Sequence, residues 1–385
     1  MARLGDLFLH IKNGANIKQG LDNTGYPITR IETISNRTVD RNKMGYAGIT
    51  DLGKYSDFVM QDGDILMSHI NSETHLGKTA LYEKEDDEII IHGMNLLSLR
   101  PNKDLIISKY AFYYLSSQSF LRQIPNITKK SVNQASFTVS ALKELVFPLT
   151  SIEEQKKITV DLDKVNGLIS IRKQQLSKLD ELVKSRFIEL FGDQESNPFG
   201  WVQCTVGECC SLKSGTTLSA EVENEGGSIP YVKVGDMNFP GNERYVTTSS
   251  RYVSEETASK GLFEVGSIIF PKRGGAIGTN KKRMTKLPIC ADLNVMGVSS
   301  SGKLLPEYLF AYFDLVDLGA LSDGSSVPQI NNKNIAPLLI CIPPIEIQNR
   351  FATFVEQVDK SKFEIQKSLE KLETLKKALM QKYFG

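Results

Sequence analysis

The chain has 385 residues, is 24% charged and 41% hydrophobic, and carries 46 basic against 45 acidic side chains, a net charge of +1. That length provides for two or three domains, each burying its own core. A balance so near neutral excludes a protein drawn to nucleic acid or membrane by its overall field, although it leaves room for charge gathered on one face. No run approaches the ~20 apolar residues of a membrane span, and the opening Met1-Ala2-Arg3-Leu4-Gly5-Asp6 has no apolar signal core. The expectation is a soluble, cytoplasmic protein without a membrane association.

Residues 1–150 read as a mixed globule of strands and short helices. Residues 64–67 and 89–91 are strand-like, and the aromatic spacing of 108–121 is helical. Turn residues at Asn13-Gly14, Asp22-Asn23-Thr24-Gly25, Asp62-Gly63 and Arg100-Pro101-Asn102 punctuate the segment. Residues 151–192 then form a long helix. Ser151 is a good N-cap with Glu154 three positions on. Apolar side chains recur at Ile158, Leu162, Val165, Ile169, Leu176, Leu179 and Val183 in alternating steps of four and three.

After Asn197-Pro198 and Phe199-Gly200, residues 193–343 repeat the style of the first globule, and 344–385 form a second long helix. Its stripe is Phe351, Val355, Val358, Ile365, Leu369, Leu372 and Leu379, and Gly192 and Gly385 stop the two helices. Each helix is about 60 Å long, and a single apolar stripe of that length needs a partner stripe. The other copy is the obvious one. Arg172 and Lys362 interrupt the two seams, as polar residues that fix register do.

The helices are copies. Residues 152–192 lie on 345–385 without a gap, an offset of 193 residues. Ile152-Glu153-Glu154-Gln155 answers Ile345-Glu346-Ile347-Gln348, and Phe191-Gly192 answers Phe384-Gly385. Weaker echoes extend upstream. Pro27-Ile28 answers Pro230-Tyr231, Gly63-Asp64-Ile65-Leu66 answers Gly266-Ser267-Ile268-Ile269, and the segment from Tyr110 to Leu115 answers that from Tyr308 to Phe313. The drifting offset implies one framework with different loops. The fold class expected is α+β: two mixed α/β globules separated by two long helices in an antiparallel coiled coil, with a pseudo-two-fold repeat.

Little points to catalysis. There is no phosphate-cradling G-x-x-x-x-G-K-S/T or G-x-G-x-x-G motif, and no Asn-Pro-Pro-aromatic tetrapeptide. The five cysteines lie in the second half without zinc-type pairing, and the four histidines lie in the first. No catalytic or metal-ligating residue is assigned.

The polar chemistry sits in turn-rich loops at matching places. The candidate contacts in the first globule are Lys18, Arg30, Arg37, Ser68, His69, Asn71, Lys129, Asn133 and Gln134. In the second they are Lys213, Thr217, Lys233, Lys272, Arg273, Asn280, Lys281, Arg283, Gln329 and Asn331. Arg and Lys chelate guanine edges, Asn and Gln pair with adenine, and lysines neutralise phosphates. A framework that repeats while these loops differ suits two modules reading different sequences. The alternative is a coiled-coil scaffold whose globules bind protein.

Two junctions carry a family resemblance. Phe147-Pro148-Leu149-Thr150-Ser151-Ile152-Glu153-Glu154-Gln155 and Cys341-Ile342-Pro343-Pro344-Ile345-Glu346-Ile347-Gln348 resemble the proline-rich approach to the conserved helix of type I restriction–modification DNA specificity subunits. Ser131-Val132-Asn133-Gln134 and Ser325-Ser326-Val327-Pro328-Gln329 are similar to that family's small-Val-x-Gln segment. The departures are Thr150-Ser151 against Pro343-Pro344, and Ile347 at an acidic or small position. The resemblance implies target recognition domains at 1–150 and 193–343, with spacer helices at 151–192 and 344–385. It implies a bipartite double-stranded DNA target and helices that dock two methyltransferase subunits, which recruit motor–nuclease subunits. It also implies that this chain binds no cofactor itself, S-adenosylmethionine, ATP and Mg²⁺ belonging to its partners.

Overall fold

The computed structural model describes residues 1–17, 24–132, 134–223 and 225–385. They form two compact units: Met1–Ile171 with Ser368–Gly385, and Arg172–Lys367. Each unit combines one globule with half of each long helix.

In the first unit, strands β1 (Phe8–Asn13), β2 (Ile65–Ser68), β3 (Thr79–Leu81) and β4 (Leu96–Pro101) form an antiparallel sheet in the order β1-β4-β2-β3. Strand β2 is buried along its whole length, because both faces of the sheet are covered. Ile65 and Met67 face a core with Leu97, Leu99 and the helix α1 (Ser108–Leu115). Leu66 faces a second cluster with Ile34, Met60, Tyr82 and Ile90. The strand expected at 64–67 is thus present one residue later.

The helix expected over 108–121 breaks after Leu115. A short helix, Gln118–Leu121, restarts behind Ser117, whose hydroxyl accepts from the Phe120 N–H at 3.2 Å. Adjacent serines offer the backbone competing hydrogen bonds. The apolar run 89–91 is no strand of its own; Ile91 makes single bridges to Ile28 and Val59. Helix α2 (Ile152–Phe191) begins in this unit.

The second unit repeats the sheet with β5 (Cys210–Ser214), β6 (Tyr245–Val246), β7 (Ile268–Pro271), β8 (Arg283–Thr285) and β9 (Val295–Ser300), in the order β5-β9-β7-β8-β6. Strands β5, β9, β7 and β8 match the four of the first unit, and β6 is an addition lying parallel to β8. Helix α3 (Pro306–Leu315) takes the place of α1, and α4 (Ile345–Phe384) begins here.

One turn shows why the framework repeats. Gly63 and Gly266 precede β2 and β7 at φ +89° and +83°. A Cβ would lie 2.5 Å from Ser108 Oγ at the first and 2.7 Å from Pro306 Cγ at the second. Only glycine suits the left-handed turn and the close approach of the following helix.

The start of each long helix is pinned in the same way. Ser151 Oγ accepts from the Glu154 N–H at 3.2 Å. Gln155 is fully buried. Its Oε1 accepts from the Ile107 N–H at 2.9 Å, and its Nε2 donates to the Leu105 and Thr150 carbonyls at 3.1 and 2.9 Å. Gln348 repeats the pattern on the Leu305 N–H (2.8 Å) and the Lys303 and Pro343 carbonyls (3.2 and 2.9 Å). One amide thus satisfies three backbone groups where the loop before the short helix meets the entry to the long one.

The stripe residues lie on the covered face of both helices. Ile158, Leu162, Val165, Phe351, Val355, Val358 and Leu369 are buried; Ile169, Leu176, Leu179, Ile365 and Leu372 are half-buried. In the first unit, Phe384 joins the cluster of Ile158 and Leu162, 5.4 Å from the Tyr110 ring, and the Tyr383 hydroxyl donates to Asp161 at 2.7 Å. In the second, Phe187 and Phe191 lie 5.6 and 5.4 Å from Phe351, and Lys362 pairs with Asp180. These terminal aromatics were absent from the expected seam.

Candidate nucleic-acid interface

The loop side chains sort by what holds them. In the first unit Ile70–Asn71, Ala135–Ser136 and Lys129–Lys130 form a small three-stranded sheet. It carries Lys129 exposed and Asn71 half-exposed, with exposed Gln134 beside it. Asn71 Nδ2 donates to Ser68 Oγ at 3.3 Å. Ser68 and His69 are themselves buried, at the end of a strand covered on both faces. His69 packs edge-on against Phe137, and burial pushes its imidazole below its ordinary pKa. Both therefore support the interface from beneath and do not present themselves at its surface.

Arg30 lies against Gly45, where a Cβ would come within 2.3 Å of its Nε. Arg37 has a left-handed backbone (φ 60°) and lines a cavity of about 180 Å³ with Thr74, Lys78, Leu121 and Thr128. Its Nη1 has no hydrogen-bond partner among the described residues, and burial pulls its guanidinium below its ordinary range. Lys43 and Lys78 both donate to Ser35, at 2.9 Å each, so three cations gather around one turn. Lys78 had no signal in the sequence, since only the fold brings it to Ser35. Lys18 and Asn133 lie outside the described residues.

In the second unit Arg273 is exposed just after β7 and bridges the backbone of Gln329. The basic loop after β7 and the small-Val-x-Gln segment thus meet in space. Lys272 Nζ donates to Ser214 Oγ at 2.9 Å and Lys213 Nζ to the Leu262 carbonyl at 2.9 Å; Thr217 is exposed nearby.

Other candidates are taken up by hydrogen bonds or ion pairs within the globule. Lys233 pairs with Glu223 at 2.6 Å, and Arg283 donates to the Met237 and Lys282 carbonyls at 3.1 and 2.8 Å. Asn280, left-handed at φ 53°, accepts from Lys282 Nζ and the Leu318 N–H. Lys281 donates to Asn238, and Asn331 caps the short helix Asn332–Ile335 together with Asn334. These contacts shape the loops; Arg273, Thr217, Lys213, Lys129 and Gln134 are exposed, as are Asn280 and Asn331 with their side chains already engaged.

Burial pushes the thiols of Cys209, Cys210 and Cys290 up to about 11, which disfavours the reactive thiolate. Among the described residues no cluster of three His, Cys, Asp or Glu has metal-binding geometry, and no helix is long and apolar enough to cross a membrane.

Two copies of one α+β globule, each presenting basic and amide loops and each rooted on a long helix, define a twin-module recognition protein. The family model of the type I restriction modification DNA specificity domain matches residues 1–181 and again 198–377. The chain is 30% identical over 402 residues to the putative type I restriction enzyme MjaX specificity subunit of Methanocaldococcus jannaschii, covering 98% of this chain and 90% of that one. It is 25% identical to the MjaIX specificity subunit of the same organism, over 73% of this chain and 69% of the other.

Among solved structures, a chain from the complex assembly and conformational transition of the type I system aligns over 100% of this chain and 96% of its own length. Its TM-score is 0.57 at 18% identity. The S subunit from M. genitalium aligns over 100% and 95%, with a TM-score of 0.56 at 17% identity. The chain belongs to the DNA specificity subunits of type I restriction–modification enzymes, which are non-catalytic.

Proposed function

We propose that each globule reads one half of a bipartite duplex target, the recognition domains being 1–150 and 193–343. The observation that carries this reading is a framework held constant between the globules while the cationic loops on it change. Gly63 and Gly266, and Gln155 and Gln348, keep their roles, whereas Arg37 of one globule answers Pro240 of the other, and Arg273 answers Ile70. Half-sites read from one face of B-DNA lie roughly 34 Å apart, and we assign that spacing to 151–192 and 344–385 paired as an antiparallel coiled coil. In support, partners in the second unit run in opposite directions: Phe187 meets Phe351, Arg186 meets Phe354 and Asp180 meets Lys362.

The same helices dock two methyltransferase subunits in this reading. Val160, Leu168 and Ile171 remain 48, 46 and 50% exposed on the face of α2 turned away from Ile158 and Leu162, and so offer an apolar surface. S-adenosylmethionine, ATP and Mg²⁺ are assigned to the methyltransferase and motor–nuclease partners, and the complex to the cytoplasm.

The test is binding of the chain, assembled with its methyltransferase, to duplexes varied in each half-site and in salt. Arg273→Ala is expected to cost on the order of 1–3 kcal/mol in preference at one half-site. Equal loss on all DNA would move Arg273 to a phosphate, and salt-independent binding without sequence preference would return the chain to a protein scaffold. Inserting a heptad into either long helix is expected to change the required gap or abolish binding.

A further inference from the structure

Each globule grips the side of a long helix through a phenol, buried in Tyr113 and half-buried in Tyr245. In the first unit the Tyr113 hydroxyl, on α1, donates to Asp163 and accepts from Asn166 Nδ2 at 2.9 Å. Lys109 bridges Asp163 and Glu83 at 3.2 Å each. In the second unit the Tyr245 hydroxyl, on β6, donates to Asp359. Arg244 Nε lies 3.6 Å from the same carboxylate, with its guanidinium 4.7 Å above the Phe310 ring. Asn166 and Asp359 are the same helix position, related by the repeat offset.

The phenols, however, are not copies of one another. The residue answering Tyr113 is Ala311, and Tyr245 stands on the strand that the first sheet lacks. The framework therefore did not hand down this contact. The same helix position has been reached twice by a phenol from unrelated elements: Tyr113 accepts from Asn166 and gives its proton to Asp163 one turn earlier, while Tyr245 donates to Asp359 itself. Tyrosine is suited to it, because a rigid ring leaves little rotamer freedom and a hydroxyl bonded to a carboxylate is a strong, directional bond.

We propose that Tyr113 and Tyr245 are positioning residues that fix the tilt of each recognition globule on its helix, and so aim its loops at the half-site. This rests on the proposed function. They touch no DNA; they act through the attitude of the loops that do.

The experiment compares Tyr113→Phe and Tyr245→Phe with wild type in the full chain assembled with its methyltransferase. Binding is measured on a duplex series whose gap between half-sites changes by one base pair at a time. Each variant is expected to keep its base preferences within the half-sites while its discrimination against a wrong gap falls roughly tenfold, the effect of one lost charged hydrogen bond. Unchanged gap discrimination, or a uniform loss on every duplex, would make the phenols merely structural and overturn the proposal. If Tyr245→Phe fails to fold, Asp359→Asn, which keeps the shape of the side chain, is read by the same criteria. Failure of wild type to prefer any gap or sequence would instead sink the proposed function.

Discussion

Asp64 and Arg100 show how one position accepts two chemistries. Asp64 is buried and takes both Nε and Nη2 of Arg100, at 2.8 and 2.7 Å. The corresponding pair in the second unit is Ser267 and Ser299, with hydroxyls 2.8 Å apart. Asp64→Ser alone is expected to cost about 3 kcal/mol, because it strands a guanidinium in a site of low polarity. Adding Arg100→Ser should return much of that loss by rebuilding the hydroxyl pair, which a double-mutant cycle on denaturant unfolding measures. Gln155→Ala takes the partner from three partly buried backbone groups, and about 1–3 kcal/mol is expected there. Residue types in the loops were legible in the sequence; their engagement was not. Ser68, His69, Lys233 and Arg283 have the right chemistry for bases, but burial or an internal partner takes each of them up.

At the scale of elements, the long helices were the most legible part of the chain. Their four-three stripe is a local property, and the burial of Ile158, Leu162, Val355 and Val358 follows it. What periodicity missed were the aromatics at the helix ends. Phe191 lies 4.7 Å from the Tyr308 ring and Phe384 5.4 Å from Tyr110, and each receiving tyrosine stands on a short helix of the globule. Such a nest is set by residues far apart in sequence. Phe384→Ala is expected to destabilise the first unit, and Phe191→Ala the second, by about 3–5 kcal/mol. Unit-by-unit hydrogen exchange checks this; a loss shared equally by both units would contradict it.

For the whole molecule, the four histidines lie in the first half of the sequence, and three of them are held below their ordinary pKa, largely by burial. His92 is pushed down to about 4. A base with a lowered folded pKa binds protons more readily when unfolded, so its contribution is intact above about pH 6.5 and fades as pH falls toward the folded value. In the second unit, burial pushes Lys282 down to about 8, so its cost is constant through neutral and acid pH and changes only on the alkaline side. Acidification from pH 7 to 5 is therefore expected to weaken the first unit selectively. Trp201, the one tryptophan, lies in the second unit. Its fluorescence should hold its unfolding midpoint while circular dichroism reports an earlier transition; equal shifts in both signals would refute the asymmetry.

The repeat, the α+β class and the long helices with their apolar stripe were determined by the sequence alone, because chain order and helical period are local properties. Tertiary structure decided which polar residues remain at the surface, where Arg273 meets Gln329, and which phenol reaches Asn166 or Asp359. Burial and long-range hydrogen bonds join residues that no local spacing relates, so these could be settled only once the chain had folded.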